Sequence, residues 1–386
     1  MSLLISYTPQ TWPYILLLVF SFYKLSFISF TSSRIHKLKT LPDKQISRST
    51  MGSIEQPQTV TYGTFRYITK GIKPTESKHL YHLPETSEFG DIRSLPMTDI
   101  RFSLDHGQDS PYKLNLQGFT ARRHLTALKS PPYTHASWND ETILKEIYIP
   151  EIEALLLDVT GGKTVFTDSV VMRNNIHTEV DGLAREESKE EVSEFPKFVG
   201  TKVGSGGSPA PKVHLDYAPN GARTHIRKYH ARVAELTSEI IEAEDRLLAK
   251  GISLAELKDH YNGPRWAMFS VWRPLKTVKR DPLALSDCRT FPKEDYVDFK
   301  VSFPSTGGEE SHKEECFLAC GSEGHAWHWI SNQRPDEVLI IQLFDSEAEK
   351  NGLGVAGGVM HSSVHIDGTG KEEARESVEV RCTVIW

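Results

Sequence analysis

The feature that most constrains this chain is a run of strand-like segments between Arg265 and the C-terminus. "RWAMFSVWRPLK" (residues 265–276) is rich in strand formers, and "HAWHWISN" (325–332) alternates. "EVLIIQLFDS" (337–346) is a continuous apolar run, suited to a strand buried on both faces. "GGVMHSSVHI" and "SVEVRCTVIW" complete the series. With turn-rich connections between them, these segments predict a mainly β fold with helical insertions, built on a double-stranded β-helix (jelly-roll) core.

The insertions are legible too. In "RKYHARVAELTSEIIEAEDRLLAKG", Val233, Leu236, Ile240 and Leu247 share one helical face, and Gly251 ends the helix. Ser253 and Glu256 then make a capping-box pattern for a short second helix. Upstream, Asn139 or Asp140 caps a helix carrying Ile143, Ile147, Ile152, Leu155 and Leu156, broken at Pro150. "KTVFTDSVVMRN" reads as a strand, "REESKEEVSEF" as a solvated charged run, and "VGSGGSPAP" as a linker or lid.

Bulk properties exclude some partners. A net charge of −6 with no basic stripe argues against nucleic acid. Four cysteines in 386 residues do not make a disulfide scaffold and fit a reduced, cytoplasmic protein. The first fifty residues differ. "WPYILLLVFSFYKLSFISF" is apolar but interrupted by Lys24, and a basic flank follows. Met51 begins a polar stretch that resembles an independent start. We expect residues 1–50 to be a leader outside the fold, residues 51–386 to form one domain, and membrane attachment only if the leader is retained.

The stretch "KVHLDYAPNGARTHIRKY" (212–229) places His214 and Asp216 two apart at the end of an alternating run, before a loop of Pro, Asn and Gly. Alternation sends both side chains to one side of a strand. Two histidines and a carboxylate on one face of an ion, with open positions left over, are the ligand set of non-haem iron(II) oxygenases. His361 supplies the second histidine, on the penultimate strand after two glycines. On the last strand, Arg375 and Ser377 share a face. Arg375 suits the far carboxylate of a 2-oxoglutarate co-substrate, which a guanidinium grips as a planar fork, and Arg381 is the substitute. The competing reading is ordinary: His-x-Asp also occurs at His365 and Asp367, and terminal-strand arginines often make surface ion pairs. A second candidate cluster, Cys316, Cys320, His325 and His328, has the wrong spacing for a zinc finger, and its histidines fall on opposite faces of a strand.

Four ordered stretches, "KVHLDYAP", "VWRPLKTVKRDPLALSD", "SNQRPDEVLIIQLFDS" and "GGVMHSSV…RESVEVR", resemble the fungal hydroxylase/desaturase family, which includes gibberellin desaturase-like proteins. The resemblance runs from Thr61 to the C-terminus. It implies an iron(II)- and 2-oxoglutarate-dependent oxidoreductase that hydroxylates or desaturates a small natural product of secondary metabolism with molecular oxygen. It places metal ligation on His214, Asp216 and His361. It also draws Trp272 and Arg273 of "WRPL" toward the pocket, Arg273 as a carboxylate binder; the alternative packs Trp272 in the core and pairs Arg273 with an acid such as Asp281. Tyr217, Arg223 and Asn332 are further pocket candidates. Two other functions compete: an iron oxygenase that does not use 2-oxoglutarate, and a non-catalytic jelly-roll binding protein.

Overall fold

The computed structural model describes residues 60–76, 83–175, 194–203, 206–303, 311–350 and 354–386. The expected leader and most of the charged run lie outside these residues. Fourteen strands are described: β1 (Thr61–Tyr67), β2 (Asp91–Asp99), β3 (Phe119–Arg123), β4 (Thr164–Arg173), β5 (Lys197–Val199), β6 (His214–Leu215) and β7 (Trp266–Pro274). The series continues with β8 (Leu283–Ser286), β9 (Tyr296–Phe303), β10 (His312–Ala319), β11 (Trp327–Trp329), β12 (Glu337–Asp345), β13 (His361–Ser363) and β14 (Ser377–Ile385). They form two sheets. One has eight strands in the order β1-β2-β11-β8-β13-β6-β10-β9, the other six in the order β3-β12-β7-β14-β4-β5. This is the expected mainly β, double-sheet architecture.

Strict alternation assigns every residue of the central strands a side. On β7, Trp266, Met268 and Trp272 join a core that also holds Leu285, Phe299 and Leu318 of the other sheet. The intervening Ala267, Phe269 and Val271 face away, onto Ile149, Ile152 and Leu156 of the helix Ile149–Thr160. β14 behaves likewise: Val378, Val380 and Val384 turn to that helix, so Ser377 and Glu379 turn inward. Because helices cover one face and a sheet the other, β7 and β12 are buried along their whole length, which is why β12 reads as a continuous apolar run.

The helical signals hold with two adjustments. Asp140 accepts from the backbone N–H groups of Thr142 and Ile143, and the helix is not broken at Pro150: it runs from Glu141 through a π-helical segment, Leu144–Tyr148, into Ile149–Thr160. Gly251 takes φ +84° at the helix end, and the Ser253/Glu256 capping box forms. The Pro-Asn-Gly stretch after Asp216, expected to be a loop, is instead the first turn of the helix Pro219–Lys228. Proline is pre-shaped for that position. Gly221 is there for contact: a Cβ on it would fall 1.8 Å from the Glu315 carbonyl oxygen of β10.

Candidate metal centre and co-substrate pocket

His361 opens β13 and pairs directly with His214 on the antiparallel neighbour β6. Opposed residues on adjacent strands project to one face, and Asp216 joins that face two residues after His214. The imidazole centroids stand 4.4 Å apart. Nε2 of His214 lies 3.7 Å from Asp216 Oδ1, and Nε2 of His361 lies 3.9 Å from Asp216 Oδ2. Ligand atoms of the three residues all fall within 4.8 Å of one another, the only such group of three among the described residues.

The backbone sets the tautomers. Nδ1 of His214 donates to the Lys212 carbonyl at 2.6 Å, and Nδ1 of His361 donates to Val359 at 3.0 Å. Each Nε2 is thereby left with its lone pair toward Asp216, the orientation a metal needs. Burial, reinforced by the neighbouring His361, pushes His214 down to about 4, so it is neutral near pH 7. Burial works to raise the Asp216 carboxyl, but Arg381, His361 and His214 outweigh it and hold the group well below the usual carboxylate range. Asp216 Oδ2 is buried without a well-directed hydrogen bond. Two imidazoles whose Nδ1 is committed to the backbone, with an ionised carboxylate beside their Nε2 atoms, fit a divalent iron ion.

Beside the triad lies a cavity between the sheets, walled by His214, His361, Trp272, Ser363, Arg375 and Arg381 among others. Arg375 is 3% exposed. Its Nη1 donates to the Asp281 carbonyl at 2.7 Å, and its guanidinium lies 5.1 Å from the Trp272 ring centroid. Asp281 takes φ +50°, uncommon for a residue with a side chain. Among the described residues Arg375 has no carboxylate at ion-pair distance, its Nε has no acceptor, and Ser377 Oγ is likewise buried and unpartnered. Burial, with Arg173 next, pushes Arg375 down to about 9. A buried cation matched only by neutral acceptors is a site lacking its anion.

The other candidates divide. Trp272 lines the cavity, but Arg273, the next residue on β7, faces the opposite way. It donates to Tyr148 Oη at 2.9 Å and to the carbonyls of His124 and Pro335 at 2.8 and 2.6 Å, so it holds the fold and is removed from the co-substrate set. Nor does it pair with Asp281, which binds Arg280. Arg223 is held by Glu244 and Glu349, Tyr217 bonds His225, and Asn332 shapes a turn at φ +44°. His325 bonds Tyr67 and Asp295, whereas His328 packs on Tyr112 and Phe119, confirming that the Cys/His cluster is dispersed. His365 and Asp367 pair at 3.8 Å in solvent. Ser270, Glu379 and Arg173 also line the cavity. The period of two through Trp272 and Ser377 marks Ser270 and Glu379; no sequence signal marks Arg173.

Comparison with known proteins agrees with this geometry. Residues 74–385 match the family described as "Oxidoreductase/YMDC permease-like domain". Oxidoreductase chry3 of Gibberella zeae is 46% identical over 371 residues, covering 84% of this chain and 98% of that protein. The gibberellin cluster GA4 desaturase of Gibberella fujikuroi is 37% identical over 308 residues, 76% of this chain and 87% of its own length. The alpha-ketoglutarate-dependent dioxygenase phiK of a fungal species is 27% identical over 297 residues, 77% and 85% of the two chains. The solved iron and alpha-ketoglutarate-dependent endoperoxidase NvfI shares the fold with a TM-score of 0.52 and 24% identity, covering 85% of this chain and 97% of that one. Among the described residues no helix is long and apolar enough to cross a membrane.

Proposed function

We propose a function from the premise that the chain belongs to the fungal hydroxylase/desaturase family of oxidoreductases: it is an iron(II)/2-oxoglutarate-dependent enzyme that hydroxylates or desaturates a small natural product of secondary metabolism. The observation that carries this reading is the buried His214–Asp216–His361 group opening onto a cavity whose Arg375 lacks an anion. Iron(II) held by the triad supplies oxygen activation at the expense of 2-oxoglutarate, which leaves as succinate and carbon dioxide. The protein's own residues do the rest. His214 and His361 present fixed Nε2 lone pairs, and Asp216 supplies the anionic ligand. Arg375 and Ser377 hold the far carboxylate of the co-substrate, with Trp272 as the floor under the guanidinium. Leu283, Ile341 and Leu343 supply an apolar part of the wall, which favours a hydrocarbon portion of the substrate.

The test separates the two buried arginines of this region. Arg375→Ala is expected to weaken 2-oxoglutarate binding at least about tenfold, the scale of one lost charge-assisted contact of about 1.5–3 kcal/mol, while the melting temperature changes little. Unchanged 2-oxoglutarate binding in a folded Arg375→Ala protein would favour the iron enzyme that uses another co-substrate. We also assign residues 51–386 as the catalytic domain, residues 1–50 as a leader outside it, and a reducing cytoplasmic setting that suits four unpaired cysteines. Protein expressed from Met51 with unaltered melting and co-substrate binding would support the boundary, and loss of either would contradict it. Fractionation that found the enzyme in an oxidising or membrane compartment would overturn the location.

A further inference from the structure

We infer that Arg381 is a positioning residue that holds Asp216 to ligation through one oxygen, an inference resting on the metal assignment above. Arg381 Nη2 lies 3.2 Å from Asp216 Oδ2, and its Nε donates to Glu379 Oε1 at 2.8 Å. Ser270 Oγ donates to that same Glu379 oxygen at 3.1 Å. A relay of Ser270, Glu379 and Arg381 therefore runs from β7 through β14 and crosses to the carboxylate just beyond β6, joining the two sheets at the site.

Arg375, just before β14, and Arg381, on β14, have different charge environments. Arg375 meets only neutral acceptors, whereas Arg381 sits between two carboxylates. Its charge is already matched, so it is not the seat of the co-substrate's far carboxylate. What it controls is the orientation of Asp216. A carboxylate can ligate through one oxygen or chelate through both. An ion held by the three side chains would keep open positions for co-substrate and oxygen, and a second Asp216 oxygen would take one of them. The Arg381 guanidinium, ion-paired with Oδ2, competes with an ion for that oxygen and would keep the position open.

The sign of the metal response separates this role from mere proximity. A guanidinium beside a dication repels it, so deleting a bystander arginine tightens metal binding. Deleting a group that orients a ligand weakens it, by about 10–100-fold in metal sites generally. The experiment measures Mn(II) affinity, from the paramagnetic resonance of the free ion, on the purified full chain and on Arg381→Met, Arg381→Lys and Glu379→Gln. Arg381→Met is expected to bind Mn(II) about 10–100-fold more weakly. Glu379→Gln, which unanchors Arg381, should shift the same way, and Arg381→Lys should fall between wild type and Met. Nitric oxide, standing in for oxygen, reads the open position. Wild-type protein loaded with iron(II) and 2-oxoglutarate should give the full iron–nitrosyl signal, and the folded variants should lose most of it. If Arg381→Met does not fold, Lys and Gln carry the test. Equal or tighter Mn(II) binding with an undiminished nitrosyl signal would overturn the role of Arg381. Wild-type protein that binds neither Mn(II) nor iron(II) would overturn the metal assignment itself, and this inference with it.

Discussion

Trp272 and Arg273 are neighbours on β7, and alternation lets only one of them see the cavity. Trp272 does, and it lies under Arg375; Arg273 ties β7 to Tyr148, His124 and Pro335. Burial and then the charge of Arg273 push His124 down to about 4, which keeps it neutral as the acceptor of Arg273 Nη2. Arg273→Ala would orphan these buried acceptors. Each such loss costs about 1–3 kcal/mol, so the melting temperature should drop steeply, while any folded fraction still binds 2-oxoglutarate. Thermal denaturation with co-substrate titration at low temperature checks this. A variant of wild-type stability that had lost 2-oxoglutarate would return Arg273 to the site. At this scale the sequence marked His214 and Asp216 by their spacing along one strand, with His361 coming from another. It overreached with Arg273, since a prominent motif does not say which of two adjacent residues points inward.

Among the elements, β13 shows how a three-residue strand is held in place. Gly358 precedes it, and a Cβ there would meet the Leu343 carbonyl at 2.8 Å and the methyls of Leu215 at 2.9 Å. Backbone is the obstacle on one side, so the chain must shift rather than a side chain turn. Gly358→Ala should cost about 1–3 kcal/mol, the range for overpacking, and should weaken metal binding by displacing His361. Calorimetry paired with metal titration is the check; an unchanged metal affinity would show that β13 tolerates the shift. The two glycines before His361 are legible in the sequence, although only Gly358 sits at a close approach. The helix at Pro219 was not, because Pro, Asn and Gly are turn residues wherever a helix start is not independently known. What decided it lies outside the segment: the tight seat of Gly221 on β10.

For the whole molecule, pairing across the two sheets leaves acidic groups in the interior. Asp168 on β4 is fully buried; Thr383 donates to its Oδ2 at 2.9 Å, while Oδ1 has no partner. Burial raises its carboxyl to about 6, against the smaller opposing pull of His225 and Thr383. The folded state therefore keeps a proton that the unfolded chain has released, and stability falls as the pH rises from about 4 to about 6. The buried charge then costs on the order of 3 kcal/mol above that window. Asp168→Asn should raise the melting temperature at pH 8 and lose most of that advantage at pH 4. An equal shift at both would mean Asp168 is not protonated on folding. Such a group is invisible in a sequence, since "TDSVV" gives no hint that a carboxylate will be buried against Thr383 of the neighbouring strand.

The central claim is that one site binds iron(II) and 2-oxoglutarate together. Its most direct test is the visible charge-transfer band of a keto acid chelated to iron(II), recorded without oxygen on the purified protein and on His361→Ala. The account predicts a band in the wild-type protein, saturating with one equivalent of iron, and none in the variant. A band that survives in His361→Ala, or no band in folded wild-type protein with iron bound, would contradict it.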